Sequence, residues 1–140
     1  DVVIDPSLTF GNITGGYGDC ADSFIYENLP SYTYGNSEYF RLGGTTTYEM
    51  RSLLGFHTGT YLYGRNIISA KMNINLYTIS GSPNNHKALA HKVTEGWYES
   101  TVSWQSTGNG YDWSTYGGDF EPTKYHSKTV TLPNELYTAT

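Results

Sequence analysis

The chain has few cysteines, which form disulfides and bind zinc, and few basic residues, which bind nucleic acid. Cys20 is the only cysteine, so no disulfide can form within the chain and no cysteine-based zinc site is available. Eight Lys and Arg against thirteen Asp and Glu exclude a sequence-independent grip on nucleic acid. No apolar run approaches the roughly 20 residues of a membrane-spanning helix, so no membrane span is predicted.

Aliphatic side chains are also scarce. Ile, Leu, Val and Phe together number 27 of 140 residues, which is few for an ordinary core. Fourteen Tyr and three Trp supply apolar area instead, so we expect a folded domain with an aromatic-rich core. Only 15% of residues are charged, and the chain begins at Asp1 rather than Met. The low charge is typical of an extracellular or cell-surface protein, and the start at Asp1 fits either a processed mature secreted chain or a fragment excised from a longer protein.

The spacing of apolar residues predicts strands and no helix. Alternating apolar and polar residues predict a half-buried strand over 67–79. Further strands are predicted over residues 21–27, 39–42, 51–56, 89–94, 101–105 and 128–132. Gly, Pro and Asn clusters separate these segments. Seven or eight short strands with such turns predict an all-β fold, a sandwich or a barrel.

Several motifs follow one another between residues 21 and 104. They are Ala21-Asp22-Ser23-Phe24-Ile25, Arg51-Ser52-Leu53-Leu54-Gly55-Phe56, Ile67-Ile68-Ser69-Ala70-Lys71-Met72 and, most specific, Trp97-Tyr98-Glu99-Ser100-Thr101-Val102-Ser103-Trp104. In this order and spacing they resemble the DNRLRE-type domain, an extracellular β-jelly-roll module related to the disaggregatase repeat and to alginate-binding carbohydrate modules. The resemblance implies a jelly-roll β-sandwich over residues 17–140. It also implies that one or two closing strands are missing, because family members continue further beyond the second Trp.

Residues 1–16 have a different character from the rest. A β-prone stretch, interrupted by Pro6, ends in a glycine-rich link, which predicts an extended arm. Such an arm could add a strand to the sheet of a neighbouring copy, at residues 128–132 or an edge nearby. The donor side chains would be Val2, Val3, Ile4, Leu8 and Phe10. Asn12, in the sequon Asn12-Ile13-Thr14, is a candidate for N-glycosylation.

Head-to-tail donation that does not close on itself makes a filament. The favoured hypothesis is therefore a non-catalytic extracellular structural subunit, with copies of itself as partners, that assembles into a filament or surface layer.

The alternative hypothesis, suggested by the resemblance, is a carbohydrate-binding module. Tyr111, Trp113 and Tyr116 lie in a glycine-rich loop and could stack on sugar rings of a polysaccharide. Trp97 and Trp104 are instead expected in the core. The net charge of -5 disfavours a polyuronate ligand, since like charges repel.

Catalysis and metal binding find little support in the sequence. Glu95 and Glu99 could form a carboxylate pair for glycoside hydrolysis, but structural hydrogen bonding, including to Arg51, is the favoured role. The sequence has no G-x-S-x-G motif and no His-x-x-x-His pair. We therefore predict no catalytic residue, no metal site and no cofactor. Calcium on Asp19, Asp22 and Asp119 is kept as an alternative.

Overall fold

The structure is a computed structural model that describes residues 20–39, 41–56, 63–64, 66, 72–75, 86–130 and 136–139. These ranges contain nine β-strands and no helix, which confirms the predicted all-β class. The strands are β1 (Cys20–Tyr26), β2 (Gly43–Gly44), β3 (Glu49–Phe56), β4 (Met72–Asn75), β5 (His86–Val93), β6 (Ser106–Gly108), β7 (Tyr111–Asp112), β8 (Phe120–Val130) and β9 (Leu136–Ala139). No helix of this described part is long and apolar enough to cross a membrane.

The described strands pair antiparallel throughout. β1 lies along β3, with Cys20 opposite Phe56 and Tyr26 opposite Met50, and β2 pairs with the other edge of β3. Three further pairs join β4 to β9, β5 to β8, and β6 to β7. The arrangement is consistent with a β-sandwich, while the jelly-roll topology stays a prediction.

Aromatic side chains make up about half of the buried apolar residues, in line with the aromatic-rich core that the composition predicts. Ile25 of β1, Leu53 of β3, Val102, Trp104 and Trp113 form the buried cluster, and Val93 and Trp97 pack against it. On β1, Phe24 stacks on Tyr34 with ring centroids 4.0 Å apart. Indole rings from loops thus fill space that aliphatic side chains fill in most domains.

Some predicted strands match the structure and others do not. Strands β1, β3, β4 and β5 overlap the segments predicted at 21–27, 51–56, 67–79 and 89–94. Residues 39–42 are not a strand where they are described, and β2 lies just beyond them. Residues 101–105 are also not a strand. Thr101 and Val102 both donate their backbone N–H to the Tyr98 carbonyl, at 3.1 and 2.8 Å, which makes a turn.

The C-terminal part has more strand than predicted. β8 includes 128–130 but begins at Phe120, and β9 adds a strand after residue 132 that pairs with β4. The early residues of β8 show no regular alternation of apolar and polar side chains, and most of them, Phe120 included, are exposed. Residues 128–130, the predicted acceptor, already pair with β5 along one edge.

The predicted N-terminal arm lies outside the described residues. This applies to the donor residues Val2, Val3, Ile4, Leu8 and Phe10 and to the glycosylation candidate Asn12. Strand donation, glycosylation and the division at residue 16 therefore stay predictions.

Candidate functional site

A loop region, residues 94–119, lies between β5 and β8 and is tied to the sheet by Arg51. From β3, Arg51 Nη1 donates to the Gly117 carbonyl at 2.8 Å, and Nη2 contacts Glu49 Oε2 at 2.6 Å. The guanidinium also lies 5.0 Å from the centre of the Trp104 ring. The predicted bond from Arg51 to Glu95 or Glu99 is thus wrong, because the guanidinium bonds Glu49 and the Gly117 carbonyl instead.

Trp113 belongs to the core and not to the surface. Only 3% of its side chain is exposed, and its Nε1 donates to the Ser103 carbonyl at 2.9 Å. Its backbone N–H bonds the Gln105 carbonyl at 3.0 Å. No face of the indole is open to a sugar ring, so the prediction that Trp113 stacks on a sugar is wrong. A core poor in aliphatic residues recruits this Trp from a loop.

Tyr111 is held at its backbone and free at its ring. The β6–β7 hairpin turns through Asn109 and Gly110, with φ of 52° and 85°, the left-handed pair of a type I′ turn. The hydroxyls of Ser106 and Thr107 donate to the Tyr111 carbonyl at 2.6 and 3.1 Å. The residue is nevertheless 70% exposed. The loop therefore presents an aromatic side chain to solvent from a hydrogen-bonded backbone.

Tyr98 is presented in the same way. Its N–H donates to the Thr107 carbonyl at 2.9 Å, and its own carbonyl accepts the two turn bonds from Thr101 and Val102. Half of the residue stays exposed. Tyr98 was not singled out from the sequence, where its position between Trp97 and Glu99 gave no separate signal.

Two open hollows lie side by side on this region. The first measures about 590 Å³ and is lined by Glu95, Gly96, Trp97, Tyr98, Thr107, Tyr111, Asp112 and Ser114. The second measures about 520 Å³ and is lined by Thr94, Glu95, Ser114, Thr115, Gly118, Asp119, Phe120 and Pro122. Glu95 and Ser114 line both, so we treat them together as one elongated site, the loop groove. Tyr116 is 57% exposed but lines neither hollow.

The loop groove is acidic. Glu95, Asp112 and Asp119 line it, and no Lys or Arg does. Asp119 is engaged, because its Oδ2 and Oδ1 accept the N–H groups of Ser114 and Thr115 at 2.7 and 2.8 Å. The side chains of Glu95 and Asp112 make no hydrogen bond or ion pair with other described residues. Their charges are available to a ligand.

Glu99 serves the fold and not the groove. Its Oε1 accepts the backbone N–H of Asp22 at 3.0 Å, which links the loop region to β1. Burial, and secondly the nearby Glu99 carboxylate, raise the pKa of Asp22. The structure therefore places Glu99 in the structural role that the sequence favoured, and only Glu95 of the two lines the groove.

No calcium site is evident in the part of the chain that the structure describes. There, no three His, Cys, Asp or Glu side chains are grouped so that they could hold a metal ion. Asp119 caps its own loop, Asp22 lies on β1, and Asp19 is outside the described residues.

The described residues thus form an all-β scaffold with an open groove edged by two exposed tyrosine side chains. Residues 17–131 match the model of carbohydrate-binding module family 96, and the chain belongs to this family. No curated protein and no solved structure matches the chain. The match confirms the carbohydrate-binding part of the sequence resemblance, while the DNRLRE assignment stays a prediction. Membership supports the alternative hypothesis over the filament hypothesis.

Proposed function

We propose that the chain binds a polysaccharide in the loop groove, with sugar rings stacked on Tyr98 and Tyr111. The observation that carries this proposal is the placement of two exposed rings, each on a hydrogen-bonded backbone, along one groove of a carbohydrate-binding module. Of the three residues predicted from the sequence to stack on sugars, only Tyr111 is part of this proposal.

Stacking suits these side chains physically. One face of a sugar ring presents C–H groups, which pack well on the flat apolar face of a tyrosine. Because the backbones of Tyr98 and Tyr111 are already hydrogen-bonded, little backbone freedom is lost when a sugar binds. Ser114, which also lines the groove and is exposed, offers its hydroxyl for hydrogen bonding to sugar hydroxyls.

The shape of the groove favours a polymer over a chain end. Both hollows are open to solvent, and they run together through Glu95 and Ser114. An internal stretch of polysaccharide can lie across such a surface without having to thread into a closed pocket. Phe120, which lines the second hollow and is 40% exposed, offers a third aromatic surface.

A binding role of this kind requires no catalytic residue, and carbohydrate-binding modules are typically non-catalytic. It also fits an extracellular or cell-surface location, where structural polysaccharides are found. Filament assembly through the N-terminal arm is a separate prediction, which deletion of residues 1–10 followed by electron microscopy would test.

The direct test begins with affinity electrophoresis of the purified chain through gels that contain neutral, cationic or anionic polysaccharides. For a polysaccharide that slows the chain, Tyr98→Ala and Tyr111→Ala should each weaken binding about fivefold or more. Tyr32→Ala is the matched control, because Tyr32 is 60% exposed and lies outside the groove. Absence of retention by every polysaccharide, or equal losses in all three variants, would contradict the proposal.

A further inference from the structure

The tip of the β6–β7 hairpin exposes an Asn-Gly pair directly before Tyr111 of the loop groove. Asn109 and Gly110 are both exposed. The side-chain amide of Asn109 and the backbone N–H of Gly110 make no hydrogen bond with other described residues. A Cβ added to Gly110 would meet no atom within 4 Å. An open side-chain amide is therefore followed by an open backbone nitrogen.

Two other exposed asparagines show that this combination is not general in the chain. Asn28 and Asn36 are also exposed, but each is followed by a residue that carries a side chain. The N–H of Leu29 and that of Ser37 each donate to a carbonyl of their own turn, at 3.2 and 3.0 Å. Asn109 thus differs from both in the chemical freedom of the nitrogen that follows it.

We propose that Asn109 is a site of spontaneous deamidation and isoaspartate formation. A bond forms between the Gly110 nitrogen and Asn109 Cγ, the Cγ–Nδ2 bond breaks, and the Gly110 amide proton leaves with Nδ2 as ammonia. Water then opens the cyclic imide at one of its two carbonyl groups. Opening at Cγ gives aspartate, whereas opening at the main-chain carbonyl gives isoaspartate, whose backbone runs through Cβ and Cγ.

The hairpin tip leaves room for this reaction. Glycine has no Cβ, so no side chain on residue 110 hinders the approach of its nitrogen to the amide. The attack requires rotation about the Cα–C bond of Asn109, which the turn holds in the left-handed region at φ 52°. Because the space around Gly110 is open, this rotation displaces no packed side chain. The bond from the Asn109 N–H to Thr101 Oγ1, at 3.3 Å, is longer than usual and restrains the tip weakly.

Isoaspartate at position 109 would alter the hairpin that presents Tyr111. Its backbone contains an additional atom, so the tight turn between Gly108 and Tyr111 no longer matches the pairing of the two strands. The bonds from the Ser106 and Thr107 hydroxyls to the Tyr111 carbonyl then lose their geometry. We expect weaker sugar binding as a result. This consequence rests on the proposed function, whereas the deamidation itself does not.

The first test follows the chemistry by peptide mapping. The full chain is incubated in mildly alkaline buffer, which promotes loss of the amide proton, and is compared with chain stored cold in mild acid. Mass spectrometry should find conversion at Asn109 while Asn28 and Asn36 stay unchanged, and an isoaspartyl methyltransferase should label the peptide that contains position 109. Gly110→Ala should lose most of the conversion, because the added Cβ hinders the attack. Unchanged Asn109, or equal conversion at Asn36, would overturn the inference.

The second test measures binding to a polysaccharide that retains the fresh chain. Incubation should weaken binding about fivefold or more in the wild-type fraction that carries isoaspartate. Asn109→Gly is the matched control, because glycine suits the left-handed position and has no amide to react, so its binding should survive incubation. Asn109→Asp has the charge of the aspartate product without the longer backbone, and it should bind as the fresh wild type does.

The outcomes separate the modification from the binding site. An equal loss of binding in incubated Asn109→Gly, or in fresh Asn109→Asp, would overturn the link between the longer backbone and Tyr111. Conversion at Asn109 in a chain that binds no polysaccharide would remove the proposed function and leave the modification site standing.

Discussion

Two regions of this protein differ in how much regular secondary structure they contain and in how much they contribute to the buried core. The loop region, residues 94–119, contains only the short strands β6 and β7, yet it supplies three members of the buried cluster: Val102, Trp104 and Trp113. The ribbon formed by β5 and β8 contains the longest strand of the described chain, yet Leu89 and Tyr125 on it are 53% and 63% exposed. Of these two regions, the one with less regular secondary structure therefore contributes more to the buried cluster.

Hydrogen bonding accounts for the difference. In the loop region, side chains of Ser103, Ser106, Thr107 and Asp119 bond backbone groups that a strand ladder would otherwise satisfy. In the ribbon, the backbone groups are paired by the ladder between β5 and β8, which is irregular around His91. The side chains of Lys92, Glu121 and Tyr125 form a hydrogen-bonded network on its surface. We expect the irregular region to contribute more to stability and to hold the binding site.

The largest effect is expected from removing an aromatic ring in each region. Trp113→Ala should lower the free energy of unfolding by about 3–5 kcal/mol, because it leaves a cavity in the core. Tyr125→Ala, an exposed truncation on the ribbon, should cost far less. Urea unfolding measures both. If Trp113→Ala fails to fold, Trp113→Phe should still lose about 1–2 kcal/mol with the Ser103 bond. Equal losses of unfolding free energy in Trp113→Ala and Tyr125→Ala would contradict the difference in stability expected between the loop region and the ribbon.

A smaller effect is expected within the loop region, at two glycines of positive φ. Gly117, at φ 93°, would place a Cβ 2.8 Å from both Arg51 Nη1 and Trp104 Cζ2. Gly117→Ala should cost about 2–4 kcal/mol, from backbone strain and overpacking together. Gly110, at φ 85°, has open space around it, so Gly110→Ala should cost only about 1 kcal/mol. Thermal or urea unfolding that ranks Gly110 above Gly117 would contradict the packing described for this loop.

The smallest effect belongs to the surface network of the ribbon. Hydrogen bonds from Lys92 and Tyr125 lower the pKa of Glu121, and the bond to Glu121 raises the pKa of Lys92. A lowered carboxyl pKa gives stability that is present above the unfolded-state pKa and is lost as pH falls through the folded-state value. Glu121→Gln should therefore be slightly less stable than the wild type near neutral pH, and the difference should vanish in acid. A difference that persists in acid would show that the network does not act through this charge.

The sequence predicted the fold class and the aromatic core because these depend on composition and alternation. Ile25 and Leu53 lie on strands that were predicted from the spacing of apolar residues. Trp97 and Trp104 were likewise expected to pack inward, and they do. Tyr111 was proposed as a stacking residue because it lies in a glycine-rich loop, and loops carry binding residues more often than core residues.

The rest of the site depends on contacts that are distant in sequence. Whether Trp113 faced solvent or core was decided by its bonds to Ser103 and Gln105, and no local pattern records these. The groove forms because the Tyr98 backbone bonds Thr107, which brings two separate segments together. Tertiary geometry also decides that the Glu99 carboxylate accepts the Asp22 N–H, whereas the Glu95 carboxylate has no hydrogen-bond partner among the described residues. The sequence around the two residues does not distinguish them.

The most direct measurement is a map of backbone amide chemical shifts during titration with the oligosaccharide that binds best. The account predicts shifts concentrated at residues 94–98 and 107–115, with little change over 124–130 of the ribbon. Saturable shifts confined to the ribbon or to the 27–48 segment, with residues 94–115 unchanged, would contradict the claim that the irregular region holds the site.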